Sequence, residues 1–159
     1  MAEQKTFQFL PGELDALTHA RVIYVATVRR DATQSRASPM WFTITGTREV
    51  LVQSRPDGWQ TKRIRRGSPV LFWIGTRRGR ALVGRAEVTG DPAVLEQIIK
   101  DYPRKYWLAR LGIHRPTKSS FERGDRLAIR IIPIDRLPQG FNSQPGVAAP
   151  KPYVSVKLG

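Results

Sequence analysis

Between Arg21 and Ile132 the sequence breaks into six short runs rich in β-branched and aromatic residues, and most links between them are too short for a crossover helix. Parallel strands joined in sequence need about a dozen residues or more per crossover, so a doubly wound parallel sheet is excluded. The runs are Arg21–Val28 (RVIYVATV), Arg36–Thr45 (RASPMWFTIT), Glu49–Ser54 (EVLVQS), Val70–Thr76 (VLFWIGT), Arg80–Thr89 (RALVGRAEVT) and Arg126–Ile132 (RLAIRII). A polar Asp31–Ser35 turn joins the first two and Gly46 precedes the third, which predicts an antiparallel meander. Arg77-Arg78-Gly79 forms a hairpin connection in which the glycine supplies positive φ.

Helical signals fall between the strands. Pro11–Ala20 places Leu14 and Leu17 behind an early proline. Arg55–Gly67 (RPDGWQTKRIRRG) reads as a turn followed by a short basic helix that stops at Gly67. Asp91 and Pro92 suit an N-cap and first helical position, ahead of an apolar stripe of Val94, Leu95, Ile98 and Ile99. Pro103 is expected to begin a further helix through Tyr106, Trp107, Leu108 and Leu111. The economical fold is mainly β: a six-stranded antiparallel barrel with flanking helices. One domain is expected over 1–138. The Pro- and Gly-containing tail, 139–159, is expected to pack on the barrel or on a partner chain.

Composition narrows the chemistry. With no Cys, the chain offers no disulfide, thiolate nucleophile or Cys-ligated metal. Two histidines, His19 and His114, give little support for a metal site; His19 is expected to cap a helix end and His114 to sit on the surface. No apolar run is long enough to span a bilayer, and the first residues lack the basic-then-apolar order of a secretory signal, so a cytoplasmic protein is expected. The 27 Lys and Arg against 13 Asp and Glu give a net charge of +14, which points to an anionic partner. No nucleophile elbow, P-loop or dinucleotide glycine fingerprint occurs.

Two segments carry the candidate site. Gln53 and Ser54 end a strand, and Thr61, Lys62, Arg63, Arg65 and Arg66 follow near a helix start, where hydroxyls, cations and backbone N–H groups suit a phosphate. The same residues would equally serve as a solvated basic face. In ASPMWF, Pro39 interrupts a strand, which marks an edge or bulge where backbone groups become free to meet a ligand. The alternative is that Met40 and Phe42 face the barrel while Trp41 covers a flank. Tyr102, Tyr106 and Trp107 are expected to serve the core or a dimer contact.

The order and spacing of these pieces, from RVIYVATV through ASPMWF and TKRIRRGSPV, resembles the flavin-binding split-barrel family of pyridoxamine 5′-phosphate oxidase and its relatives, across about residues 14 to 133. The resemblance implies a Greek-key split barrel that forms a homodimer with FMN at the interface. It assigns Ser38, Pro39, Met40 and Trp41 to the flavin ring, and Ser54, Thr61, Lys62 and Arg65 or Arg66 to the phosphate end, beside Gln53 at the same strand end. The activity it implies is hydride or electron transfer to or from a small-molecule substrate. Relatives that resemble deazaflavin (F420)-dependent reductases make F420 the alternative cofactor, with Arg63, Arg77, Arg78 and Arg80 facing its acidic tail. Vitamin B6 oxidation is not expected, because Leu137–Gly159 lacks a clear Arg/His pair. The reading from another class is an anion- or nucleic-acid-binding barrel in which Trp41, Trp59 or Trp73 stacks on bases. Nucleic acid is disfavoured, since the arginines gather at one turn and one hairpin instead of along a groove.

Overall fold

The computed structural model describes residues 7–137, so the expected tail lies outside the described residues. In chain order the elements are α1 (Pro11–His19), β1 (Ile23–Thr27), β2 (Ser38–Met40), β3 (Thr43–Ile44), β4 (Val50–Ser54), α2 (Trp59–Arg65), β5 (Val70–Ile74), β6 (Leu82–Thr89), α3 (Pro92–Lys105), α4 (Trp107–Arg110), α5 (Lys118–Glu122) and β7 (Leu127–Ile134). The strands form one sheet in the order β2-β1-β5-β6-β7-β4-β3, and every pairing is antiparallel. The antiparallel, mainly β expectation holds. The strand count does not: there are seven strands among the described residues, not six.

The extra strand comes from the Arg36–Thr45 run, which is cut at Trp41 and Phe42. Its first part pairs with β1, Ile23 opposite Met40, and its second with β4, Thr43 opposite Leu51. These are the two outermost strands of the sheet, yet only two residues separate them. The sheet therefore curls into a half-barrel whose edges meet through Trp41 and Phe42. Neither neighbour can continue its ladder across that join, so the backbone groups there need other partners. Helix α3 and the residue after it supply them. Tyr102 Oη donates to the Trp41 carbonyl at 2.8 Å, Lys105 Nζ donates to the Phe42 carbonyl at 3.0 Å, and the Phe42 N–H donates to Tyr106 Oη at 3.0 Å.

Alternation along the strands fills two faces. Ile23 and Val25 of β1, Phe42, Val50 and Val52 of β4, Val70 and Phe72 of β5, and Ile129 and Ile131 of β7 point into the half-barrel, with Leu17 of α1 and Ile64 of α2 packed against them. The intervening Leu51 and Ala128 face outward onto Val94, Ile98, Tyr102 and Tyr106. Ala26, Leu71 and Trp73 form a third cluster on the opposite flank. Because both faces of these strands are covered, they read as nearly continuous apolar runs.

Helix α3 is capped by Asp91, whose carboxylate accepts from the Ala93 N–H at 3.0 Å, and its Val94, Ile98 and Tyr102 fall one turn apart on the buried side. The expected break at Pro103 does not occur there. Pro103 lies inside the last turn of α3, which runs on to Lys105. Its missing N–H removes one helical bond near the end, and the Tyr106 N–H closes the turn on the Tyr102 carbonyl at 2.8 Å. The helix expected from Pro103 through Leu111 is accordingly reduced to the four residues of α4, and α5 had no sequence signal.

Candidate functional site

The exposed edge of β2 faces the turn between β4 and α2, and a cleft of about 510 Å³ opens between them. Ser38, Pro39 and Met40 line one side, and Gln53, Ser54, Gly58, Trp59 and Gln60 line the other. Five arginines, Arg29, Arg36, Arg55, Arg63 and Arg126, complete it, and among the described residues no carboxylate lines it. The volume is within the roughly 300–1,000 Å³ typical of cofactor and ligand pockets.

Local structure holds the far wall. The Thr61 hydroxyl donates to the Arg55 carbonyl at 2.7 Å and shares a 2.8 Å hydrogen bond with Ser54 Oγ, which ties the start of α2 back to the end of β4. Gln60 Nε2 donates to the Val25 carbonyl at 2.9 Å, which fixes α2 against β1. Across the cleft, the Ser35 hydroxyl accepts from the Thr27 N–H at 2.9 Å and holds the loop that presents Arg36 and Ser38.

Electrostatically the cleft carries uncompensated positive charge. Burial lowers the Arg63 pKa from its ordinary value, and the neighbouring Arg29 and Arg66 guanidiniums lower it further. A cation crowded by two others is stabilised by an anion. Arg55 is the exception among the five, since it meets Asp57 at 3.3 Å on the surface. Helix α2 spans only seven residues and Gly58 gives its start no side-chain cap, so the pull on an anion rests on the arginines.

The expected site residues divide. Ser38, Pro39, Met40, Gln53 and Ser54 line the cleft. Trp41 lines a smaller, adjoining pocket and stacks on Tyr106, rings 4.3 Å apart and 6° from parallel. Thr61 is fully buried behind the wall with its hydroxyl spent on the turn. Lys62 is exposed beside the rim, its ammonium 4.9 Å from the centre of the Trp59 ring. Arg65 is exposed and does not line the cleft, and Arg66 donates to the Val28 carbonyl at 3.4 Å. Arg80 belongs to a different place, donating twice to the Glu13 carboxylate of α1 at 2.6 and 2.9 Å. Arg77, expected near an acidic tail, instead lies 4.7 Å over the Tyr24 ring and donates to the Ala37 carbonyl.

Sequence reasoning missed Arg29, Arg36 and Arg126, which come from separate segments, and also Gln60, although it directly precedes Thr61. Arg63, expected at the phosphate, does line the cleft, and Trp59, named only for base stacking, lines it too. His114, expected on the surface, is exposed yet lines the smaller pocket, and its carbonyl accepts from Gln53 Nε2 at 2.8 Å. No local signal marks that contact across 61 positions.

No family model matches the sequence, and no protein of curated function matches it. The fold, by contrast, has many counterparts. A Listeria innocua protein designated a candidate pyridoxamine 5′-phosphate oxidase superposes with a TM-score of 0.55 at 20% identity, over 77% of this chain and 90% of that one. An F420 reductase gives 0.55 at 19% identity, over 80% and 97%. General stress protein 26 from Bacillus anthracis gives 0.54 at 15% identity, over 76% and 84%. The chain therefore has the split-barrel fold of the pyridoxamine 5′-phosphate oxidase-like proteins. Among the described residues no helix is long and apolar enough to cross a membrane.

Proposed function

We propose that this protein is an oxidoreductase that binds FMN in the arginine-lined cleft and moves a hydride or electrons between the flavin and a small molecule. The observation that carries the reading is the cleft itself, with five arginines, three serines and, among the described residues, no carboxylate, set against the edge of β2. Its volume suits a ring plus a phosphate-bearing chain, and the crowding of Arg63 by Arg29 and Arg66 calls for an anion there. Flavin, when bound, supplies the redox chemistry. Ser38, Pro39 and Met40 would bound the ring, and Arg63 with Arg29 and Ser54 would hold the phosphate. Lys62 at the rim would add charge without a direct bond.

A second copy of the chain is part of this reading. Trp59 is 70% exposed at the rim of the cleft and Trp107 and Leu111 are exposed on and after α4, so a two-fold partner would bury apolar surface and cover the cofactor. F420 is the second reading of the cofactor, favoured by one observation: five arginines exceed what a single phosphate requires. Titrating FMN and F420 separately into ligand-free protein tests both. Saturable quenching of flavin fluorescence is expected. F420 binding alone would replace FMN, and binding of neither would leave an anion-binding barrel.

A further inference from the structure

We propose that the smaller pocket beyond Met40 is a second ligand site, and that it takes a one-ring aromatic acid. This pocket has a volume of about 240 Å³ and is lined by Pro39, Met40, Trp41, Gln53, His114 and Arg126. Pro39, Met40, Gln53 and Arg126 line the large cleft as well, so the two spaces share a wall. Its role as a substrate pocket rests on the cofactor reading above; its capacity to bind does not.

Shape follows from the aromatic residues. Trp41 is stacked on Tyr106, and Tyr106 is itself held by its hydroxyl, which donates to the Arg21 carbonyl at 2.6 Å and accepts from the Phe42 N–H. The indole is therefore a fixed wall. The His114 ring stands edge-on to it, 88° between planes and 6.0 Å between centres. A flat ligand fits beside a fixed flat wall at the smallest entropic cost. A space below the roughly 300 Å³ at which drug-sized pockets begin admits one ring with its substituents and excludes a nucleotide or a peptide.

Charge follows from Arg126. Among the described residues its side chain makes no ion pair or hydrogen bond and no carboxylate lines the pocket. A planar guanidinium pairs best with a planar carboxylate, through two parallel hydrogen bonds. Gln53 adds a preference for a donor. Its Nε2 is committed to the His114 carbonyl, which fixes the orientation of the amide, and its Oε1 is buried without a partner among the described residues. An amino group beside the carboxylate offers the donor that this oxygen lacks. His114 itself sits at φ 51°, a left-handed conformation held by the same Gln53 bond.

Anthranilate combines one ring, one carboxylate and one amino group, and it is fluorescent. Its anisotropy would be followed as full-length protein is added, with and without FMN, alongside an independent FMN titration of the wild type. Saturable binding is expected, weakened about tenfold or more by Arg126→Gln, the loss of a charge-assisted hydrogen bond. His114→Asn, which keeps a residue tolerant of left-handed backbone, should weaken it as well. Anthranilamide, the uncharged counterpart, should bind equally to wild type and Arg126→Gln. Absence of saturation in the wild type, or equal anthranilate affinity with and without Arg126, overturns the proposal. FMN binding without anthranilate binding would overturn the pocket alone, whereas Arg126-dependent anthranilate binding without FMN binding would support the pocket and overturn the cofactor reading.

Discussion

The Tyr106 hydroxyl takes the place of a strand partner for Phe42. It accepts the Phe42 N–H at 3.0 Å and reaches the Phe42 and Arg21 carbonyls at 3.2 and 2.6 Å, at the one point where the sheet changes from its first edge to its last. A backbone N–H buried at a join between two strands has no ladder to enter, and leaving it unpaired costs about 1–3 kcal/mol. Tyr106→Phe should therefore destabilise the fold by roughly that amount. Urea denaturation would show a lower midpoint with an unchanged slope; an unchanged midpoint would mean water replaces the hydroxyl without loss.

Lys105, on the same join, makes stability depend on pH. Burial pulls its pKa down to about 8, and Asp101 opposes the shift. In the unfolded chain a lysine titrates near 10.4, so between about pH 8 and 10.4 the unfolded state binds more protons and stability rises with pH. Below pH 8 both states are protonated and the cost of burying the charge is present in full. The Phe42 ring, whose centre lies 3.3 Å from the ammonium, favours the charged form and limits the size of the effect. Tyr106 acts in the opposite sense. Burial pushes its pKa up to about 12, so the stability it contributes is present below about pH 10, the unfolded tyrosine value, and is lost as pH rises through 12. Wild type should gain stability relative to Lys105→Met between about pH 7.5 and 9.5, the interval in which only the folded lysine titrates. A constant difference between the two proteins would exclude the mechanism.

Arg63 and Arg80 should separate a binding cation from a structural one. Arg63→Gln removes a guanidinium crowded by Arg29 and Arg66, so the ligand-free protein should be as stable as wild type or more so, while FMN affinity falls about tenfold or more. Arg80 is paired with Glu13, and Arg80→Gln should leave FMN affinity within about twofold, as expected for a charge screened from the ligand. Equal losses for both variants, measured by fluorescence titration, would point to a diffuse cationic field instead of a site.

Gly84 is required by packing. A methyl group there would overlap Ile131 Cγ2 and approach Val70 Cγ2 at 3.2 Å inside the barrel. Gly84→Ala should cost about 1–3 kcal/mol through overpacking, read as a lower urea midpoint. Ile131→Ala in the same chain would recover part of the loss if the overlap is the cause.

The two-fold partner is tested by light scattering at micromolar concentration. A mass of about twice 18.0 kDa is expected, and only the single-chain mass would remove the partner from the proposed site.

Much of the architecture was legible in the chain because it is set by local rules. β-branched runs with short links require antiparallel pairing, and Asp91 with Pro92 ahead of an apolar stripe marks a helix start. Ser38, Pro39, Met40, Gln53 and Ser54 were legible for the same reason: a proline in a strand marks a free edge, and polar residues at a strand end before a turn mark a rim. What only the tertiary structure decided depends on residues distant in sequence. Trp41 and Phe42 look like ordinary strand residues, and they become a split because β1 and β4, 23 or more positions apart, each claim one end of the run. Tyr102 and Tyr106 look like core, and they become backbone partners because α3 crosses that split. Arg80 and Lys62 look like anion ligands, yet Glu13 and Trp59 meet them first, while Arg29, Arg36 and Arg126 reach the cleft from segments that carry no shared pattern. A side chain's charge is written in the sequence; the partner it meets is fixed only when the sheet curls.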